Sequence, residues 1–178
     1  MISQKLYHMI RKVGNWEAVS AMIRGLEADM LQASHSCLTK WCLKAEATAK
    51  LHMSAQDLNW EPLNPDYLQD KIKQGLSENT LIATSDYFQA ITSYVSPMSM
   101  GSNPTGWAGA KKAILNANGE VIADIARTHE WGSVVRGIPA RPLWYPTMHE
   151  TVSWIGANKS VQPTQVFKQI VRTKYRAT

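Results

Sequence analysis

The segment from His129 to Pro146, HEWGSVVRGIPARPLWYP, gathers residue types that could do chemistry. Histidine, glutamate, serine and two arginines together could form a hydrolytic site, a phosphate-binding site or a protein-contact site. The pair His129–Glu130 lacks the second histidine one helical turn later that a zinc-binding HExxH helix requires. Ser133 follows a predicted helix end rather than a strand-to-helix elbow. The spacing therefore argues against hydrolysis.

Other signatures of enzyme chemistry are also missing. His149–Glu150 lacks a second histidine in the same way, and no phosphate-binding GxxxxGK[ST] loop occurs. Cys37 and Cys42 are five residues apart, which on a helix places them on different sides and disfavours a disulfide or a shared metal. We therefore expect a protein that is not an enzyme, with no catalytic, cofactor-binding or metal-binding residues.

Positive charge is concentrated at the C-terminal end of the chain. The formal net charge is +5, yet lysines and arginines balance acids over residues 1–150, and residues 151–178 contain no acid. The basic segment 159–178 could contact DNA phosphates or an acidic protein surface, or it could be a solvated end. The residues predicted to make such contacts are Lys168, Arg172, Lys174 and Arg176.

A long N-terminal helix is the largest element that the sequence predicts. Apolar residues recur at three- and four-residue steps from Trp16 to His52, which predicts one amphipathic helix about 55 Å long. Such a helix exceeds the diameter of a domain of this size. It therefore predicts either an oligomer or a helix laid across the whole sheet. Residues 1–14 are interpreted as an N-terminal arm.

The remaining pattern predicts short helices and strands. Helices are expected over Asp66–Leu76 and Glu120–Glu130 and from Tyr145 through Trp154, strands over Phe88–Val95 and Trp107–Leu115, and either state over Thr164–Tyr175. The predicted fold class is α+β, with a small, mostly antiparallel sheet flanked by the long N-terminal helix and shorter helices, in a single domain of residues 1–178. The absence of a long apolar run favours a soluble intracellular protein with no membrane partner.

The glycine- and proline-rich segment 132–146 is stiff enough to serve as a contact surface. Pro139 and Pro142 impose extended backbone, and Arg141 between them suits a bidentate contact with a carboxylate on a neighbour. The alternative is that the segment only turns the chain and Trp144 fills the protomer's own core. The predicted interface residues are Trp131, Arg136, Ile138, Pro139, Arg141, Pro142, Leu143, Trp144 and Tyr145.

Two pieces of the chain, taken together, resemble a known family. The first is Trp60–Leu63 (WEPL), followed by a lysine-bearing helix and then Thr80–Ser85 (TLIATS). The second is Thr128–Gly132 (THEWG), followed by Ile138–Trp144 (IPARPLW). The pattern resembles the phage virion morphogenesis proteins, the tail-completion group of the phage Mu type. Ser85-Asp86 stands where that family has a Thr-Gly turn, and Trp131 replaces its usual phenylalanine.

The resemblance implies a structural protein of a tailed bacteriophage, related to tail terminators and neck proteins. It implies a homo-oligomeric ring, a hexamer, at the head-tail junction of the virion, assembled in the host cytoplasm. The implied partners are the head-side connector, the tail tube, the sheath in a contractile phage, and genomic DNA through non-specific contact. The alternative that the residues leave open is a nucleic-acid-binding protein that uses the basic C-terminal segment.

Overall fold

The computed structural model describes residues 16–116 and 118–175. Within them the chain forms six α-helices and two strands, an α+β fold as predicted. The elements are α1 (Trp16–Ala55), α2 (Pro65–Lys73), α3 (Asp86–Ala90), β1 (Ile91–Val95), β2 (Gly106–Ala110), α4 (Ile122–Trp131), α5 (Trp144–Ala157), a 3-10 turn (Lys159–Val161) and α6 (Pro163–Tyr175). The predicted N-terminal arm, residues 1–14, and Arg176 lie outside the described residues.

Helix α1 is the element on which the others pack. Its 40 residues correspond to a length of about 60 Å. Both strands and the two C-terminal helices, α5 and α6, contact it. Its buried side chains are mostly small, which allows close approach of its neighbours, and include Ala33, Cys37, Ala45, Ala49 and Met53. The predicted long helix is therefore present, and it lies across the sheet.

The sheet is a two-stranded antiparallel ladder. Its register runs from Ile91 opposite Ala110 to Val95 opposite Gly106. Gly106 lies where β2 approaches α1 closely, since a Cβ atom there would lie 2.8 Å from the Cys42 Sγ atom and 3.0 Å from the Leu38 Cγ atom. A larger residue would force these side chains to shift.

The main core lies between the C-terminal half of α1 and the elements that follow it. Its largest fully buried side chains belong to four different elements or their flanks, namely Met53, Ile91, Ile122 and Leu143. Among the described helices, none combines the length and apolar character needed to span a bilayer.

The strand predictions were partly wrong. The strand predicted from Phe88 begins only at Ile91, because residues 86–90 form helix α3. This helix follows Ser85, whose φ of 67° is left-handed and turns the chain. The second strand ends at Ala110 instead of Leu115, which makes only an isolated bridge. The three predicted short helices are present, with ends shifted by one to three residues, and residues 163–175 are helical.

Candidate functional site

Glu130 caps the start of α5 from the end of α4. Its Oε2 atom accepts hydrogen bonds from the backbone N–H groups of Leu143 and Trp144 at 2.7 and 2.9 Å. Its Oε1 atom accepts a third from Tyr145 at 3.0 Å. A carboxylate at a helix N-terminus satisfies unpaired donors and is favoured by the helix dipole. Glu130 therefore joins two helices, a role that residue spacing does not predict because the two helices are brought together only in the fold.

Arg141 ties its own segment to the stretch that follows α1. Its side chain is buried, with the residue only 6% exposed. Nε donates to the carbonyl of Glu61 at 3.0 Å, and Nη2 donates to the carbonyl of Pro62 at 3.2 Å. Beside them, Trp60 Nε1 donates to the carbonyl of Pro142 at 2.9 Å. Backbone carbonyls therefore hold the guanidinium inward, and the predicted contact of Arg141 with a carboxylate on a neighbour stays a prediction.

His129 is built into the same junction. Its carbonyl accepts the backbone N–H of Arg141 at 2.6 Å. Its ring atom Nδ1 is buried and has no hydrogen-bond partner among the described residues. Burial lowers the pKa of His129, and the positive charge of Arg141 lowers it further. The imidazole is thus held neutral inside the protein.

This depressed pKa predicts a loss of stability in mild acid. Below the unfolded-state pKa of about 6.5 the unfolded chain binds a proton at His129 that the folded chain does not, so unfolding becomes more favourable as pH falls. The loss should continue until the pH reaches the lower folded-state pKa. We expect urea unfolding between pH 7.5 and pH 5 to show a smaller acid loss in His129→Gln than in the wild type. Parallel pH profiles would contradict this assignment.

A short hairpin projects beyond this junction. Gly132 ends α4 with a φ of 73°, and Ser133 and Ile138 then pair through backbone hydrogen bonds of 2.8 and 2.9 Å. Val134 and Val135 lie at the tip, where they are 100% and 98% exposed. Consecutive valines are typical of buried strands, so the sequence pattern did not predict that these two side chains are exposed to solvent.

The predicted interface residues divide into an exposed and an inward set. Trp131 and Tyr145 are 78% and 77% exposed, and Arg136 and Pro142 are also exposed. Ile138, Pro139 and Trp144 are half-buried, and Trp144 packs against the core. Leu143 is fully buried, so it cannot contact a neighbour, because its side chain fills the core. We call Trp131, Val134, Val135 and Tyr145 the tip surface.

The basic C-terminal segment is partly used within the chain. Lys174 Nζ lies 2.9 Å from the Oδ1 atom of Asp29, whose side chain is 5% exposed. A buried carboxylate needs such a partner, so Lys174 holds α6 against α1, and its predicted contact with DNA or an acidic protein surface stays a prediction. Lys168 and Arg172 are exposed one turn apart on α6.

A cleft of about 1210 Å³ lies beside the junction. Its walls come from α2, from the loop before α3, from α4 and from the base of the hairpin. Lys71 lies in one wall, only 3% exposed, and its Nζ donates to the carbonyls of Asn79 and Ile82 at 3.0 and 3.1 Å. The lysine of the family-like helix therefore closes the following loop.

Comparison with known protein families, curated proteins and solved structures finds no match to this chain. Within residues 16–116 and 118–175, no cluster of three histidines, cysteines or acids is placed to hold a metal ion.

Proposed function

We propose that this chain is a structural protein of a tailed-phage virion, of the tail-completion or tail-terminator type. It acts by assembling as a hexameric ring at the head-tail junction. The observation that carries the proposal is the direct hydrogen bonding between the two family-like segments. Trp60 donates a hydrogen bond to the carbonyl of Pro142, 82 positions later, and Arg141 donates to the carbonyls of Glu61 and Pro62. The two motifs therefore lie in contact, as parts of one structural unit.

The exposed apolar residues suit assembly into a ring. A closed ring needs two different surfaces on each protomer, one for each neighbour. The tip surface offers one, with two aromatic side chains of the kind enriched at interface centres. Ile23 and Met30, seven residues apart on α1 and 61% and 44% exposed, offer a second. None of the side chains of these two surfaces belongs to the buried core.

The tip surface can be tested without disturbing the fold. Because Val134 and Val135 contact almost nothing within the protomer, their joint replacement by aspartate should leave the free energy of unfolding within about 0.5 kcal/mol of wild type. Two buried charges at an interface should instead reduce head-tail joining at least tenfold. Joined particles would be counted by electron microscopy after mixing heads, tails and protein.

The control is Ala113→Asp, which adds one negative charge, against two in the double variant, at an exposed position on a different loop. It should join heads and tails like the wild type. Normal joining by the double variant would remove the tip surface from the proposed interface.

Nucleic-acid binding is the second candidate function. Lys159, Lys168 and Arg172 line one shallow groove of about 300 Å³, which places three cations where they could follow a phosphate backbone. A stable monomer that binds duplex DNA with a steep salt dependence, and that does not bind tail tubes, would favour this function over the first.

A further inference from the structure

Two buried cations line the cleft without a carboxylate partner. Lys71 and Arg141 are 3% and 6% exposed. In the described part of the chain, neither has a carboxylate oxygen within 4.0 Å, and both bond only to neutral backbone carbonyls. Buried charges in proteins are normally paired. Burial lowers the pKa of Lys71, and the charge of Glu78 raises it by a smaller amount.

Arg141 has N–H donors beyond the two that bind the carbonyls of Glu61 and Pro62. A guanidinium group has five N–H donors, and only Nε and one Nη2 donor bind the carbonyls of Glu61 and Pro62. The structure gives Nη1 no partner among the described residues, although Arg141 lines the cleft. The free edge of a guanidinium fits the two oxygens of a carboxylate.

The rest of the cleft lining is mixed in charge and largely apolar. Arg136 adds a third cation and His129 a neutral imidazole, whereas the acids in the lining are Glu61 and Asp86, and Asp86 already accepts a hydrogen bond from Thr84 at 2.6 Å. Apolar side chains from several elements fill the gaps between these groups, including Leu63, Leu81, Ile82, Ile125 and Ile138.

We infer that this cleft binds an extended acidic segment of a neighbouring protein chain, with a carboxylate of that segment bonded to Arg141. Apolar walls with a few placed polar groups are typical of peptide and ligand sites. The guanidinium geometry also matches phosphate, and competition with inorganic phosphate distinguishes that ligand from a carboxylate. The inference rests on the proposed function only in making that neighbour a virion protein.

The test is a peptide titration of the full-length protein. The probe is a pool of acetylated, amidated heptapeptides with a fixed central glutamate flanked by random aliphatic residues and serines. The matched pool carries glutamine instead. Binding is followed by NMR at the Nε–H signal of Arg141, which is assigned by its loss in Arg141→Lys. We expect the glutamate pool to bind at least tenfold more tightly and to shift this signal.

Two variants distinguish an effect on the cleft from a general effect of the substitution. Ala83→Leu should narrow the cleft and weaken binding about tenfold, and Ala113→Leu, the same change on an exposed loop, should have no effect. Equal binding of the two pools, or displacement of the glutamate pool by inorganic phosphate or duplex DNA, would overturn the inference. A protein that binds neither pool yet forms rings on tail tubes would overturn it and leave the proposed function standing. A protein that binds the glutamate pool but stays monomeric with tail tubes would support the inference and overturn the proposed function.

Discussion

Replacing Gly132 with alanine is expected to lower the free energy of unfolding by about 3 kcal/mol or more. The residue has φ 73° and ψ 177°, a conformation essentially restricted to glycine. A Cβ atom there would lie 2.8 Å from the backbone nitrogen of Ala140 and 3.0 Å from the carbonyl oxygen of Ile138. Because both contacts are backbone atoms, the strand leading to Arg141 would have to move. Urea unfolding of the two proteins measures the loss.

Gly137 provides the matched control within the same hairpin. Its φ of 62° is also positive, but a Cβ atom would meet nothing within 4 Å. Gly137→Ala should therefore cost only the left-handed strain, about 1 kcal/mol. Equal losses for the two variants would show that backbone contact at Gly132 does not hold the junction together.

Removal of the Glu130 carboxylate is expected to be comparably damaging. Glu130→Ala leaves three N–H groups at the start of α5 without their charged acceptor. Hydrogen bonds to charged groups contribute roughly 1.5–3 kcal/mol each, and water can replace part of that at a partly exposed site. We therefore expect the free energy of unfolding to fall by about 3 kcal/mol, measured by urea unfolding.

Two further variants make this result specific. Glu130→Gln keeps a side-chain oxygen but loses the charge, so its loss should be smaller than that of Glu130→Ala. Glu27→Ala removes an exposed glutamate from α1 and should change stability by less than about 0.5 kcal/mol. A Glu130→Ala protein as stable as Glu27→Ala would show that the cap is not needed.

The helical part of the fold could be predicted because it depends on local spacing. The three- and four-residue apolar repeat that begins at Trp16 is long enough to indicate a helix, because the two-residue alternation of a strand does not fit it. The residues before β1 are different, because alternation over Phe88–Val95 suits a strand and yet Tyr87 and Ala90, three apart, are the buried pair of a short helix. The left-handed Ser85 that starts this helix has no signal in residue type.

The candidate site could be located from the sequence, but the direction of its side chains could not. The glycines and prolines of residues 132–146 marked a stiff segment correctly as a place of unusual backbone. Arg141 turns inward because its acceptors, the carbonyls of Glu61 and Pro62, arrive from 80 and 79 positions earlier in the chain. A contact over that distance is set by tertiary packing, which residue spacing alone does not encode.

The measurement that bears most directly on the proposed function is the mass of the wild-type protein bound to purified tail tubes, determined by native mass spectrometry after release from the tube. The protomer mass is 19.9 kDa. We predict that the protein binds one end of each tube and is released as a hexamer. A protein that remains a 19.9 kDa monomer and does not bind tail tubes would contradict the assignment to the head-tail junction.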